Sequence, residues 1–139
     1  MTAFAGAGPL HHVGIVVPSL SEAMPFYRDV LGYAAGPEHD FADQRVRVVF
    51  LTKGESRIEL LEPTDADSGV ARFLAERGRA TMHHVCFEVA DIAAALDRLA
   101  RDGIELVDHA PRRGVEGWVA FLHPRATGGV LIELLERAR

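Results

Sequence analysis

One cysteine, one tryptophan and one lysine stand in a chain of 139 residues, and each scarcity excludes something. Cys86, being alone, rules out an intrachain disulfide, so the fold must rest on a packed core, and a thiol among apolar strand residues reads as part of that core. The redox logic favours a cytoplasmic setting. Lys53 is the only lysine, the net charge is −5, and the arginines are scattered apart from Arg112-Arg113. That leaves no basic block for nucleic acid or an anionic membrane surface. No apolar run reaches the roughly 20 residues of a membrane span. Met1 to Gly8 has neither the charged region nor the long apolar stretch of a signal peptide, and reads as a short disordered lead. What remains is ordinary for a globular chain, with 48% hydrophobic and 25% charged residues and enough length for one compact domain.

The chain says one thing twice. Ile58-Glu59-Leu60-Leu61-Glu62 recurs as Ile132-Glu133-Leu134-Leu135-Glu136, and His11-His12-Val13 recurs as His83-His84-Val85. Val48-Val49-Phe50-Leu51 precedes the first pentapeptide as Val119-Ala120-Phe121-Leu122 precedes the second. The histidines His12 and His84 are 72 residues apart and the glutamates Glu59 and Glu133 are 74 apart, so the two halves share one plan.

In order, Leu10 to Val17 reads as a strand with His12, Gly14 and Val16 on one face. Ser19 and Glu22 have the capping-box form, opening a helix to about Leu31 with Gly32 as its stop and Pro25 tolerated near its start. Tyr33 to Asp40, Arg45 to Leu51 and Arg57 to Glu62 are strands. A helix carrying Val70, Phe73 and Leu74 and ending at Gly78 joins the halves. The pattern then restarts: strand Met82 to Val89, helix from Asp91 to Gly103, strand Ile104 to Asp108, loop Ala110 to Gly117, and strands Trp118 to Leu122 and Val130 to Leu135. Each half is β-α-β-β-β. The fold class is α+β: two tandem modules, about residues 9–63 and 81–136, forming a cupped mixed sheet around a metal-binding cleft within a single domain.

Strand alternation puts Glu59 with Leu61, Glu133 with Leu131 and Leu135, and His84 with Cys86. A carboxylate on an apolar face is costly unless it is paired or bound to metal. Each histidine taken singly is more often a satisfied core or surface residue, and each glutamate could sit on a solvated outer face. Recurrence of all four in register outweighs those readings, because unrelated surface positions have no reason to repeat. Two imidazoles and two carboxylates suit one divalent ion, Co²⁺, Mn²⁺, Ni²⁺ or Zn²⁺, with positions left for water or substrate. His11 and His83 point the other way and read as outer-face or supporting residues; His39 and His109 receive no role. The segment from His123 to Gly129 is either a plain hairpin connection or, through Arg125, Thr127 and Gly128, a place where a guanidinium and backbone amides hold an anion.

Leu10 to Val17, Phe26 to Gly32, Ile58 to Pro63, Met82 to Val89, Phe121-Leu122-His123-Pro124 and Thr127 to Leu134 together resemble the methylmalonyl-CoA epimerases, a family within the vicinal oxygen chelate, or glyoxalase-like, superfamily. The resemblance spans Leu10 to Leu135. It implies metal ligands at His12, Glu59, His84 and Glu133, Co²⁺ as the first choice of ion, an acyl-CoA substrate and a homodimer. It also implies epimerisation by proton transfer at C2 through a metal-stabilised enolate, with Glu133 and Glu59 as the nearest carboxylates to move the protons. Some family members carry a glutamate in the strand equivalent to Arg45–Leu51, where this chain has Val48. Two rival readings keep the fold: another activity of the superfamily, of glyoxalase or dioxygenase type, and a binding protein that sequesters a small molecule without catalysis.

Overall fold

The computed structural model describes residues 7–138. The expected disordered lead therefore falls, for residues 1–6, outside the described residues, while Ala7 and Gly8 already belong to a strand. In chain order the elements are β1 (Ala7–Val16), α1 (Leu20–Pro25), β2 (Ala34–Phe41), β3 (Val46–Lys53), β4 (Ser56–Pro63), α2 (Gly69–Arg77), β5 (Thr81–Val89), α3 (Ile92–Arg101), β6 (Arg112–Arg113), β7 (Gly117–Leu122) and β8 (Ile132–Arg137). The chain divides into two compact units, one of residues His12–His83 and the other of His84–Arg139 with the stretch ending at His11.

In the unit of His12–His83 the strands lie in the order β2-β3-β4-β1. β1 runs parallel to β4, with Gly14 opposite Glu59 and Val16 opposite Leu61, and the other pairs are antiparallel. Alternation then sends Val49, Leu51 and Leu60 to one face, where they pack with Val17 and Leu20. Burying side chains of that size contributes about 1.5–3 kcal/mol each. Ser19 caps α1, its hydroxyl accepting from the Glu22 N–H at 3.3 Å. Pro25 is the last residue of α1 and lies beyond the first turn, contrary to the sequence expectation. Having no N–H, it cannot extend the α-helical ladder. The chain continues as one π-helical turn, Phe26–Val30, closed by the Leu31 N–H on the Phe26 carbonyl at 3.0 Å.

The second unit repeats the plan, with strand order β5-β8-β7-β6. β5 runs parallel to β8 with Cys86 opposite Glu133, and β8 runs antiparallel to β7 with Phe121 opposite Glu133. α3 starts at Asp91, whose carboxylate accepts from the Ala94 N–H at 3.0 Å, and packs Ile92, Ala95 and Leu96 against Leu106, Ala120, Leu122 and Leu134. Each module helix gives way to a left-handed glycine, Gly32 at φ 80° and Gly103 at φ 81°, a backbone state that side chains with a Cβ resist. Cys86 is fully buried with Val119 and Leu135, as a core thiol should be.

The expected strand from Ile104 to Asp108 does not form; only Leu106 bridges to Leu122. The N–H groups of Val107 and Asp108 share the Phe121 carbonyl at 3.0 and 3.2 Å, and the Asp108 carboxylate takes the Phe121 N–H at 2.9 Å. A side chain thus occupies the position a ladder carbonyl would have held.

The second glutamate of the repeated pentapeptide has a structural task in both units. Glu62 accepts the Leu20 N–H at 2.8 Å, and Glu136 accepts the Ile92 N–H at 2.9 Å. Each ties the end of a glutamate-bearing strand to the start of its module helix, satisfying an amide that has no partner within the helix. Glu62→Ala and Glu136→Ala should each lower the unfolding free energy by about 1–2 kcal/mol, read as an earlier urea midpoint at unchanged slope. Midpoints equal to that of the parent protein would refute the capping role.

Candidate functional site

In the unit of His12–His83, β1 supplies His12 and β4 supplies Glu59, and both side chains point to the sheet face opposite α1. His12 Nε2 lies 3.6 Å from Glu59 Oε1. Phe50, paired across the strands with Glu59, presents its ring edge-on to the imidazole, with centroids 5.2 Å apart and planes at 82°. The other unit builds the same arrangement. His84 Nε2 lies 3.3 Å from Glu133 Oε1, and Phe121, paired with Glu133, meets the His84 ring at 5.7 Å and 86°.

The four polar side chains are as buried as core residues: His12 and His84 are 4% exposed, Glu59 8% and Glu133 7%. Ionised groups withdrawn from water to this extent need compensation by opposite charge or a metal. The spacing of each pair suits a metal. Nitrogen and oxygen donors about 2.0–2.2 Å from one ion, at angles near 90–110°, stand roughly 3.0–3.5 Å apart. A separation of 3.3 to 3.6 Å is long for a hydrogen bond and close to that ligand spacing. Each pair therefore offers one nitrogen and one oxygen donor at a spacing that a divalent ion accepts.

The signal for these aromatic partners lies in the repeat itself: Phe50 and Phe121 take the same place in Val48-Val49-Phe50-Leu51 and Val119-Ala120-Phe121-Leu122. Of the remaining histidines, His11 departs from the outer-face reading. It is 1% exposed, with Nε2 2.9 Å from Glu116 Oε2 and 3.9 Å from Glu88 Oε1, and Glu88 is itself 2.7 Å from Arg137. Acidic partners supplied by β5 and by the turn before β7 cover that side of β1. His83 rests edge-on against Phe73 at 5.2 Å, and Arg77 lies 5.0 Å over the same ring. His39 and His109 are exposed. Val48 is 2% exposed and pairs with Leu61 and His39, so an aliphatic side chain fills that position.

The loop between β7 and β8 begins with a short 3-10 turn, Pro124–Ala126. The Arg125 N–H donates to His123 Nδ1 at 3.1 Å, and its guanidinium grips Glu105 through Nε and Nη2 at 3.2 and 2.7 Å. The Thr127 hydroxyl lies against the carbonyls of Pro124 and Val130, and Gly128 has φ 76°. The ion pair joins this loop to the segment before Leu106, a contact that the sequence pattern of His123 to Gly129 does not carry.

Similarity to known proteins follows the same lines. The chain is 42% identical over 129 residues to an ethylmalonyl-CoA/methylmalonyl-CoA epimerase of Cereibacter sphaeroides, covering 91% of this chain and 96% of that protein. The crystal structure of methylmalonyl-CoA epimerase from Mycobacterium tuberculosis superposes with a TM-score of 0.92 at 37% identity, covering 100% of this chain and 94% of that one. A variant of Streptomyces coelicolor methylmalonyl-CoA epimerase, solved in complex with 2-nitronate-propionyl-CoA, superposes with a TM-score of 0.89 at 34% identity, covering 95% and 96%. Among the described residues no helix is long and apolar enough to cross a membrane. Residues 11–121 match the Glyoxalase/Bleomycin resistance protein/Dioxygenase superfamily, and the chain belongs to it.

Proposed function

We propose that this chain is a metal-dependent methylmalonyl-CoA epimerase, acting in the cytoplasm as a homodimer. The observation that carries the reading is the duplicated buried pair, His12 with Glu59 and His84 with Glu133, each flanked by a phenylalanine in the same register. The two pairs are the proposed ligands of one divalent ion, Co²⁺ in first place and Mn²⁺, Ni²⁺ or Zn²⁺ as substitutes. Such an ion supplies Lewis-acid polarisation of the oxygens flanking C2 of the substrate, where negative charge develops as the proton leaves.

The protein's own groups do the rest. Glu133, entering ionised, takes the C2 proton on Oε2 from one face, and Glu59, entering with a proton on Oε2, returns it on the other; the two exchange protonation states for the reverse direction. In each carboxylate Oε1 is the oxygen facing the imidazole. Phe50 and Phe121 supply apolar surface beside the ligands, which keeps water from competing for the carbanionic carbon. Arg125, Thr127 and Gly128 hold the anionic part of the acyl-CoA. Val48 offers no titratable atom, so this reading places both proton transfers on the two glutamates.

The test is proton exchange at C2 of methylmalonyl-CoA in deuterated water. Metal-loaded protein should incorporate deuterium, chelator should stop it, and added Co²⁺ or Mn²⁺ should restore it. Slow exchange that accelerates in Val48→Glu would mean that the proton roles are assigned to the wrong residues. No exchange from protein holding stoichiometric metal would point to another activity of the superfamily, and purified protein that takes up no metal would point to a sequestering role.

A further inference from the structure

Arg125 is more constrained than an exposed arginine needs to be. Its guanidinium meets Glu105 side-on, Nε to Oε1 at 3.2 Å and Nη2 to Oε2 at 2.7 Å, while the side chain as a whole is 73% exposed. Of the five N–H groups on a guanidinium, this contact uses one on Nε and one on Nη2. One on Nη1 and the second on Nη2 form the end of the plane away from that contact, the edge suited to a second carboxylate or a phosphate.

Glu105 is itself held. Its backbone carbonyl accepts the His123 N–H at 3.0 Å, and its Oε2 lies 3.8 Å from His123 Nε2. Since His123 Nδ1 accepts the Arg125 N–H, the neutral ring carries its proton on Nε2, facing Glu105. The hydrogen bond from Arg125, and then its charge, lower the Glu105 carboxyl from its ordinary value against the opposing effect of partial desolvation, so the acid stays ionised across the neutral range. The loop also starts close to the proposed centre. His123 follows Phe121 by two residues, and Phe121 pairs with Glu133, so about 7 Å of strand separates that rung from the loop.

From this we infer that Glu105 is a positioning residue: it fixes the guanidinium of Arg125 so that its remaining edge faces the anionic portion of the acyl-CoA. This rests on the reading that Arg125 contacts substrate, and goes beyond it by naming what orients the arginine. Without Glu105 a long side chain at this exposure would sample many rotamers, and part of the binding free energy would go into ordering it.

A double-mutant cycle on the metal-loaded protein tests the assignment. Arg125→Gln should raise KM for methylmalonyl-CoA by about tenfold with kcat little changed, the behaviour of a contact that holds ground and transition states alike. Glu105→Gln should raise KM about threefold, the scale of an exposed ion pair. In the Arg125→Gln background it should have no further effect. Glu105→Asp, which keeps the charge, should recover part of the loss. A lowered KM in Glu105→Gln would show that the acid competes with the ligand, and an equal increase in both backgrounds would show a role independent of Arg125; either overturns the inference. If Arg125→Gln leaves KM unchanged while turnover persists, the inference fails and the epimerase reading stands. If the parent protein shows no turnover, the epimerase reading fails, and the same cycle is read by calorimetric binding of coenzyme A, with the same pattern expected in Kd and the same outcomes overturning it.

Discussion

His12→Ala and His84→Ala should each weaken divalent metal binding by at least about 100-fold, more than is usual for loss of a residue that merely supports a ligand, and proton exchange should fall with it. Both variants should still fold. Each removes an imidazole from a strand whose backbone pairing stays intact, and the cost is a partly filled cavity beside Phe50 or Phe121, about 1–3 kcal/mol. Metal content after dialysis against trace chelator, together with a thermal melt, reads the two effects separately. His83→Ala is the control. That ring packs on Phe73 and should be dispensable for metal. If either alanine variant proves unstable, leucine at the same position keeps most of the volume and offers the metal no donor. Full metal occupancy in both folded variants would remove the proposed centre.

Part of this was legible because a strand has a period of two and a duplicated module repeats its register. Glu59 and Glu133 share faces with Leu61 and Leu135, and the pairings Gly14 with Glu59 and Cys86 with Glu133 put both copies at the same rung. Recurrence weakens the surface and core readings that each residue has alone. Other features depended on contacts that no local pattern encodes. Glu62 and Glu136 enter the sequence reading only as the last letters of the repeated pentapeptide, yet each reaches a helix 42 or 44 residues earlier in the chain. His11 reads from alternation as an outer-face or supporting residue, and alternation gives the direction of a side chain but not what covers it; Glu116 and Glu88 do. Glu105 and Arg125 are 20 residues apart, and the acid lay in a segment read as a strand. That segment fails as a strand because Asp108 substitutes its carboxylate for a backbone acceptor, an exchange that β propensity does not anticipate.

The duplicated pair also bears on what each carboxylate does. A ligand role needs only a donor atom, whereas a proton-transfer role needs a group that can be protonated and deprotonated. Replacing Glu59 with glutamine separates the two, because the amide oxygen can still face a metal while the group no longer takes up or releases a proton near neutral pH. Glu59→Gln should therefore keep metal affinity within about tenfold of the parent, the loss coming from one fewer negative charge beside the ion. Glu133→Ala, which offers no donor, should lose metal by about 100-fold or more. Proton exchange should nevertheless drop in metal-loaded Glu59→Gln by about 10²- to 10⁴-fold, the usual contribution of a positioned acid or base. Metal content and deuterium incorporation on the same samples give both readings. Equal metal loss in the two variants would mean that Glu59 must be charged to bind the ion, and undiminished exchange in Glu59→Gln would move the returning proton to another group.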